Sequence, residues 1–256
     1  MKSKIFPHKL SLIIPAHRQA GTIVRDVRRI ESVLKQIRYD YEIIVVVDGY
    51  GDGTYRSIKK YVSPKVKSTV YMKNQGKGHA VRLGMSQATG SYIAFIDSGM
   101  EIDPNGISML LEHLEWYEAD VIVGSKRHPA SQVNYPLTRR VMSRIYQYVI
   151  RLLFNLNITD TQTGLKIYKR RVVENILPRL VVKRYAFDLE MLAVARLFGF
   201  KRIYEAPIKL KYNFQDMTHA SAVKSIINIL IDTAAIFYRI NILHYYQNWK
   251  PGKNSL

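Results

Sequence analysis

In the first half of the chain, short apolar runs alternate with segments whose apolar residues have helical spacing. Leu10–Pro15 and Glu42–Val47 are nearly continuous runs of aliphatic residues, which is typical of strands buried on both faces. Between them, apolar residues recur every three or four positions over Thr22–Ile37, as in an amphipathic helix. The alternation continues with strands predicted at Lys67–Met72, Tyr92–Ile96 and Val121–Val123, and helices at Thr54–Tyr61, Gly78–Gln87 and Pro104–Trp116. This order predicts an α/β fold, a mostly parallel sheet flanked by helices.

The pattern changes after residue 130, where two amphipathic helices are predicted. Leu137–Phe154 places arginines and tyrosines beside a helically spaced apolar stripe, and Ala220–Tyr246 is longer and mostly apolar. Within the apolar stretch Ser225–Ile242, Asp232 and Arg239 cost about 5–7 kcal/mol on membrane insertion, whereas its apolar residues contribute about 3–5 kcal/mol. We therefore expect no transmembrane helix.

Basic residues outnumber acidic ones, and the excess lies in the second half. Lys and Arg total 39 against 20 Asp and Glu, for a formal net charge of +19; residues 1–125 hold 17 basic and 13 acidic residues, and residues 126–256 hold 22 and 7. Such a charge favours nucleic acid, phosphorylated molecules or an anionic membrane as partners. The absence of cysteine excludes disulfides, cysteine-bound zinc, iron–sulfur clusters and a cysteine nucleophile. The first apolar run is too short for a signal peptide, so a cytosolic protein is expected.

Carboxylates and glycines cluster where the predicted strands end, which is where parallel α/β sheets bind ligands. In VVDGYGDGT (Val46–Thr54), Asp48 ends a strand and three glycines follow, an arrangement that suits a nucleoside base or ribose. The alternative is an ordinary strand-to-helix turn, with Asp52 or Thr54 as the helix cap.

A second glycine-rich segment, NQGKGHAVRLG (Asn74–Gly84), opens a predicted helix. Two glycines around Lys77 would form an anion site from backbone N–H groups and an ammonium. The spacing is neither that of a Walker loop nor that of a dinucleotide fingerprint. The alternative is a flexible helix start with a solvated lysine.

A third segment, FIDSGMEID (Phe95–Asp103), runs from a strand into three carboxylates. Hard oxygen ligands near a phosphate site suit Mg²⁺ or Mn²⁺ bound to a diphosphate. We assign the metal role to Asp97, and expect Asp103 to cap the helix that begins at Pro104.

Taken in order, six segments resemble one family. VVDGYGDGT, NQGKGHAVRLG, FIDSGMEID, GSKR, DTQTGLK and FDLEM follow the order and spacing of family 2 glycosyltransferases of the GT-A (Rossmann-like) fold. More closely, they are similar to the dolichyl- or polyprenyl-phosphate sugar (mannose) synthases. The resemblance covers about residues 8–215. It implies a GT-A catalytic domain over residues 1–215, including an interfacial helix at 137–154, and a C-terminal helix and tail over 216–256.

The resemblance implies a donor site around the first three loops. PAHRQ occupies the family's P-A-x-N-E, with Gln19 where Glu is usual, and Asp48 matches the second Asp of D-D-G-S. Lys77 lies in the family's G-K-G loop. The implied donor-binding residues are Pro15, Ala16, Gln19, Asp48, Lys77, Asp97 and Ser98.

The implied metal site departs from the family pattern. Asp97 matches the first Asp of the D-x-D motif, but Gly99 stands at the position of the second. Glu101 falls where these synthases often place Gln as a further ligand. The resemblance implies Mg²⁺ or Mn²⁺ held by Asp97 and Glu101 with diphosphate oxygens and water, and Gly99 leaves metal dependence open.

Acceptor and catalytic residues follow from the later motifs. GSKR matches the family's G-S-R, and RRVMS matches residues that hold the acceptor phosphate, while the family's late arginine has no clear counterpart in Asn213–Ser221. The implied acceptor-phosphate residues are Lys126, Arg127, Arg139 and Ser143. The implied catalytic residues are Asp160 and Gln162 of the D-T-Q motif and Asp188 of F-D-x-E, which is expected to face the reaction centre.

The resemblance implies an inverting, metal-assisted transfer of a hexose from a nucleotide sugar to polyprenyl or dolichyl phosphate. GDP-mannose and UDP-glucose both fit as donors. A phosphate acceptor is anionic near neutral pH and needs cations more than a strong base. Because such a lipid stays in the bilayer, the enzyme is expected to sit peripherally on the cytoplasmic membrane face, which explains the basic second half. Lipid length and oligomeric state are left open.

Three other interpretations compete with this one. Gly99 favours a nucleotide-sugar-binding protein with impaired catalysis. A saccharide acceptor would need a base, for which Asp188 is the candidate. The net charge favours a nucleic-acid-binding protein, but no helix–turn–helix, RRM or zinc pattern is visible and the strand-end carboxylates have no role there, so no nucleic-acid partner is expected.

Overall fold

A seven-stranded sheet organises the chain. The computed structural model describes residues 8–133, 137–184, 186–210 and 219–250, without the side chains of 137–143 and 219–226. The sheet order is β3–β2–β1–β4–β7–β5–β8. Its strands are β1 (Lys9–Ala16), β2 (Asp40–Asp48), β3 (Val66–Tyr71), β4 (Tyr92–Ile96), β5 (Val121–Ser125), β7 (Leu165–Lys169) and β8 (Ile203–Pro207); β6 (Gln132–Val133) and β9 (Lys209–Leu210) form a separate parallel pair.

The helices connect these strands and cover the sheet. They are α1 (Ile23–Leu34), α2 (Thr54–Lys59), α3 (Lys77–Gln87), α4 (Gly106–Trp116), α5 (Leu137–Phe154), α6 (Arg170–Ile176), α7 (Phe187–Leu197) and α8 (His219–Asn241), with a 3₁₀ turn at Leu177–Arg179. The predicted α/β architecture is confirmed, with element ends shifted by a few residues.

One strand of the sheet runs against the others. β1 pairs in parallel with β2 and β4, β2 with β3, and β5 with β8, whereas β7 lies antiparallel between β4 and β5. The sheet is therefore mostly parallel, as predicted. The parallel order β2–β1–β4 brings the carboxyl ends of three neighbouring strands to one edge, and the loops that follow them meet there.

Alternating side chains of the strands enter two apolar cores. Along β4, Ala94 and Ile96 pack on the side of α1 and α4, while Ile93 and Phe95 pack on the side of α3 and α7. Both faces of the sheet are thus covered, and this is why the strands read as continuous apolar runs. The second core also contains Ile150 of α5 and Ile236 of α8, so both late helices pack against the sheet layer.

The last helix is shorter than predicted. α8 ends at Asn241, and at His244 the backbone takes a positive φ of 48°. The chain turns back there and places Tyr246 in the core with no exposed surface. The continuous helix predicted to Tyr246 is therefore wrong over residues 242–246, where the turn at His244 brings the Tyr246 hydroxyl to the buried Glu190 carboxylate. In the described part of the chain, none of the helices combines the length and apolar character needed to cross a membrane.

A buried carboxylate ties the amino ends of β1 and β2 to the segment before β4. Glu42 accepts hydrogen bonds from the Ser11 hydroxyl at 2.7 Å, the Thr89 amide at 2.8 Å and the Lys67 ammonium at 2.7 Å. Burial alone would raise the pKa of Glu42, but these donors outweigh it and lower the pKa from 4.5 to about 2. The ionised form is therefore the stabilising one.

We expect Glu42→Gln to lower the free energy of unfolding by about 2–3 kcal/mol at pH 7. Because the folded pKa is depressed, this contribution is complete above pH 4.5 and is lost as the pH falls towards 2. Urea denaturation at pH 7 and pH 3 measures it, with the exposed Glu174→Gln as control. An unchanged difference between wild type and Glu42→Gln at the two pH values would contradict the assignment.

Candidate functional site

A cleft of about 580 Å³ opens at the carboxyl ends of β1, β2 and β4. The sequence places its polar residues in three separate loops, and the parallel strand order brings them together. Seven of the predicted donor and metal residues line it: Pro15, Ala16, Asp48, Lys77, Asp97, Ser98 and Glu101. His17, Asn74, Gly76 and Arg184 complete the lining and were not predicted individually.

Asp48, the predicted nucleoside ligand, organises the loop before α3. One carboxylate oxygen accepts hydrogen bonds from the Tyr71 hydroxyl at 2.8 Å and the Gln75 amide at 2.7 Å, and the other accepts from the Gly76 amide at 2.9 Å. Its backbone carbonyl accepts from the His17 ring at 2.8 Å. Asp48 thus shapes the cleft wall, and its contact with a nucleoside stays a prediction.

Lys77 is the first residue of α3. Gly76 before it takes a φ of +99°, a conformation that favours glycine, and this turn directs the chain from β3 into the cleft. The sequence prediction of a lysine at a glycine-rich helix start is met in this geometry. Its ammonium is ion-paired with Asp97 and Asp188, and the side chain keeps about 30% of its surface exposed.

Four alternating charges run through the site. The Nζ atom of Lys166 lies 2.5 Å from Asp188 Oδ1, and the Nζ atom of Lys77 lies 3.2 Å from Asp188 Oδ2. Lys77 Nζ also lies 2.7 Å from Asp97 Oδ1. The ring of Phe95 packs against both ammonium groups, with its centroid 5.2 and 5.3 Å from the two Nζ atoms. Hereafter, "charge chain" denotes Lys166, Asp188, Lys77 and Asp97.

Burial opposes the charged form of three members of this chain, and the neighbouring charges outweigh burial for two of them. Burial alone would raise the pKa of Asp188, but Lys166 and Lys77 outweigh it and lower that pKa. Burial alone would lower the pKa of Lys77, but Asp188 and Asp97 raise it. For Lys166 burial prevails and lowers the pKa, with Asp188 acting in the opposite direction. Asp188 is therefore held as a carboxylate with both oxygens occupied.

Lys166 was missed by the sequence prediction. It lies on β7 with no exposed surface and also donates to the carbonyl of Thr163. A signal was present, because Lys166 interrupts an apolar strand whose neighbours Leu165 and Ile167 face the opposite core. A lysine on the inner face of such a strand requires a buried carboxylate, but only the fold shows that this is Asp188.

The metal-site residues meet at the end of β4. Asp97 follows the strand directly, and Glu101 lines the same cleft. Partial burial and the Asp97 carboxylate raise the pKa of Glu101, and Lys126 acts in the opposite direction. At Gly99 the φ of +95° disfavours an Asp, and a Cβ there would lie 3.5 Å from the side-chain amide nitrogen of Gln19.

These residues fit a metal that is held jointly with the donor. Two carboxylates supply hard oxygen ligands, but Mg²⁺ and Mn²⁺ prefer about six. Among the described residues, no cluster of three or more His, Asp or Glu side chains could hold an ion alone. Diphosphate oxygens and water would therefore have to complete the coordination.

Asp160 hydrogen-bonds to the predicted acceptor loop. Its carboxylate accepts the backbone N–H of Lys126 at 3.0 Å and that of Gln162 at 3.3 Å, and Lys126 Nζ lies 3.7 Å away. Glu205 of β8 in turn accepts the backbone N–H of Asp160 at 2.9 Å. The three motif residues thus meet, with Asp160 buried beneath the loop. Catalytic roles for Asp160 and Gln162 stay predictions.

The remaining predicted site residues are only partly described. The backbone N–H of Arg127 donates to the Ser125 hydroxyl at 3.2 Å, which places it beside Lys126. Arg139 and Ser143 lie in α5, but their side chains fall outside the described residues. The backbone N–H of Gln19 donates to the Thr54 hydroxyl at 2.8 Å, and Gln19 is not among the residues that line the cleft.

Two carboxylates near the site close turns just before helices. Asp52 accepts the backbone N–H of Thr54 at 2.8 Å, at the start of α2. Asp103 accepts that of Asn105 at 3.1 Å, but α4 begins at Gly106 with Asn105 as its N-cap, so the expectation that Asp103 caps a helix beginning at Pro104 is not met. In the loop after β2, Asp52 thus closes the turn before α2, whose N-cap is Gly53, while Asp48 lines the cleft.

A mostly parallel sheet with strand-end carboxylates and a lysine-bearing helix start defines a protein of the GT-A class. Glucosyl-3-phosphoglycerate synthase from Mycobacterium tuberculosis, in complex with Mn²⁺, UDP and glucosyl-3-phosphoglycerate, shares this fold with a TM-score of 0.67 and 15% identity, over 90% of this chain and 80% of that one. Mannosyl-3-phosphoglycerate synthase from Rubrobacter xylanophilus also shares it, with a TM-score of 0.68 and 16% identity, over 94% of this chain and 77% of that one. At such identities the likeness shows the fold alone.

The sequence narrows the class to a family. Residues 11–177 match glycosyl transferase family 2, and the chain belongs to this family. It is 26% identical over 202 residues to dolichyl-phosphate beta-glucosyltransferase of Dictyostelium discoideum (73% of this chain, 62% of that protein), and 27% identical over 206 residues to the Homo sapiens protein of that name (74% and 64%). Glycosyltransferase AglD of Haloferax volcanii is 28% identical over 204 residues (78% and 32%). The match thus spans about three fifths of the two glucosyltransferases.

Proposed function

We propose that the protein transfers glucose from UDP-glucose to dolichyl phosphate or another polyprenyl phosphate. Relatives named dolichyl-phosphate beta-glucosyltransferase support glucose as the sugar and a lipid phosphate as the acceptor. They favour UDP-glucose over GDP-mannose, the other donor that the motifs allow. The family membership supports the reaction type.

The lysine-bound, ionised state of Asp188 favours a phosphate acceptor over a saccharide acceptor. A saccharide hydroxyl would need a base to remove its proton, and Asp188 is the candidate. Both of its oxygens are bound by lysine ammonium groups, and its pKa lies below the ordinary range. Such a carboxylate is a poor base. A phosphate acceptor needs none, since it is largely ionised at neutral pH.

The proposed step forms one bond, breaks one bond and transfers no proton. An anionic phosphate oxygen attacks the anomeric carbon, the bond from that carbon to the UDP oxygen breaks, and UDP leaves with the electron pair. Attack from the opposite side inverts the anomeric centre. Two anionic groups must approach each other, so cations on both sides are required. In this proposal Lys77 supplies a cation on the donor side and Lys126 one on the acceptor side.

A divalent metal fits this scheme through Asp97 and Glu101. When bound, it would neutralise charge on the diphosphate that departs. The Mn²⁺ in a structural neighbour of the same fold supports a divalent ion but does not choose between Mn²⁺ and Mg²⁺.

Calorimetry and a transfer assay together test the proposal. UDP-glucose should bind in the presence of Mn²⁺ or Mg²⁺ more tightly than GDP-mannose. Labelled glucose should then pass to polyprenyl phosphate but not to the matched alcohol, polyprenol, which lacks the phosphate. Preferential binding of GDP-mannose would overturn the donor, and transfer to polyprenol would overturn the acceptor. Binding without any transfer would support the impaired binding protein instead.

We also propose that α5 and α8 face the membrane that holds the acceptor. The two helices pack together through the Tyr146 and Thr233 hydroxyls, 2.9 Å apart, and through the rings of Phe154 and Phe237. Their outer faces expose apolar side chains: Ile145, Tyr148, Val149 and Leu152 of α5, and Ile227, Leu230 and Ile231 of α8. Exposed Arg144 and Arg151 flank the α5 stripe, which suits an anionic lipid surface. The cytoplasmic side stays a prediction.

Leu152→Glu should weaken binding to liposomes containing anionic lipid by about tenfold or more, because Leu152 is 75% exposed and a charge there opposes insertion of the apolar face. Flotation at low salt measures the bound fraction. Val62→Glu is the matched control, since Val62 is exposed on the loop before β3. Equal flotation of wild type and Leu152→Glu would exclude α5 as the membrane face.

A further inference from the structure

The segment after α8 returns to the core of the molecule. The backbone N–H of Tyr245 donates to the carbonyl of Arg239 at 2.9 Å, and the positive φ of His244 reverses the chain direction. Tyr246 is buried with no exposed surface, and its ring packs edge-on against that of Tyr245. Trp249 forms a second contact between this segment and the rest of the molecule, because the Arg179 guanidinium lies 5.1 Å from its ring centroid.

Tyr246 binds a buried carboxylate on α7. Its hydroxyl donates to Glu190 Oε1 at 2.7 Å. Glu190 also accepts the backbone N–H groups of Val181 at 3.0 Å and Val182 at 2.9 Å. Burial raises the pKa of Glu190, and these donors together with the nearby Arg82 act against that rise. Glu190 therefore joins the C-terminal segment to the chain just before α7.

That joined stretch lies directly against the glycine loop of the cleft. The carbonyl of Lys183 accepts the backbone N–H of His79 at 3.2 Å. A Cβ on Gly76 would lie 2.6 Å from the same carbonyl oxygen, and a Cβ on Gly78 would lie 2.7 Å from the Cβ of Phe187. The two backbones are thus in close contact on both sides of Lys77. We therefore expect a shift of Lys183 and its neighbours to be transmitted to the loop that carries Lys77.

We infer that Tyr246 and Glu190 are positioning residues for Lys77 in the proposed donor site. They do not line the cleft, but Glu190 holds residues 181–182, which precede Lys183, and the Lys183 carbonyl group lies against both glycines. Glu190 occupies the last position of the F-D-x-E motif, two residues after Asp188. The first turn of α7 therefore carries both Asp188, which binds the Lys77 ammonium, and Glu190, which holds residues 181–182. The inference rests on the proposed donor role of Lys77 for its functional consequence.

Tyr246→Phe removes the hydroxyl and keeps the ring in the core. Hydrogen exchange should accelerate by about tenfold at the amides of Gln75, Gly76 and His79 and at those of residues 181–182, while amides of β1 stay protected. The Kd for UDP with Mn²⁺ should rise by about three- to tenfold. Tyr204→Phe, on the exposed tyrosine of β8, is the control and should change neither quantity.

Two exchange results would overturn the inference. Faster exchange at residues 181–182 alone would show that the loop does not follow them. Equal acceleration in β1 and in the loop would show general loss of stability. Failure of wild type to bind UDP would instead refute the proposed donor, and the exchange data would still decide whether Tyr246 positions the loop.

Discussion

Lys166→Met should destabilise the protein by about 3–5 kcal/mol, the effect expected when one member of a buried ion pair is removed. Lys166 is fully buried, and its ammonium lies 2.5 Å from Asp188. Without it, Asp188 keeps only Lys77, and the pKa of Asp188 should rise towards its ordinary range. Lys77 is then drawn towards Asp188 and away from Asp97. Urea denaturation measures the loss, and UDP binding should weaken in the fraction that stays folded.

Lys169→Met is the matched control on the same strand. The ammonium of Lys169 is partly exposed and donates to the carbonyl of Glu118 at 3.2 Å, so its loss should cost well under 1 kcal/mol. A double-mutant cycle adds a second test, because Lys166→Met and Asp188→Asn should be non-additive by about 1–3 kcal/mol. Additive effects, or wild-type stability of Lys166→Met, would show that the pair does not hold the site.

Lys77→Met should lower transfer by about 10²–10³-fold with little loss of folding. In the proposed scheme its ammonium is a fixed cation on the donor side, and removal of one positioned electrostatic group has effects of this size. The variant also leaves Asp97 without its ammonium partner. Steady-state kinetics with UDP-glucose and polyprenyl phosphate measure the loss, and thermal unfolding checks the fold.

Lys73→Met is the control that distinguishes the position of the Lys77 ammonium from a change in the net charge of the protein. Lys73 lies four residues earlier on the way into α3, with an exposed side chain. Its substitution removes the same charge from the protein and should leave transfer within about twofold of wild type. Equal losses for the two variants would indicate a general charge effect and would contradict a specific role for Lys77.

Local patterns predicted most of the site because its loops follow buried strands. Asp48 and Asp97 come directly after apolar runs, and Lys77 sits between two glycines, so residue order alone places all three at one edge of a parallel sheet. Their partners could not be predicted in this way. Lys166 lies 22 positions from Asp188, on an antiparallel strand inserted into the sheet. No local spacing relates two such positions.

The C-terminal region shows the same division. Helical periodicity correctly predicts α5 and most of α8, since a helix depends on neighbours three and four positions away. The turn at His244 has no such signature. It brings Tyr246 to Glu190, which lies 56 positions away in the chain, and no local pattern relates two such positions.

The amino-acid sequence alone predicts a mostly parallel α/β fold, a family resemblance and the cleft residues, because strand burial, helix periodicity and glycine turns are local properties. Tertiary structure decides the electrostatic state of the site. Whether Asp188 is a free base or a lysine-bound carboxylate depends on which ammonium groups lie within about 3 Å of it, and Coulomb interactions of that kind are set by distance in space, not by distance along the chain.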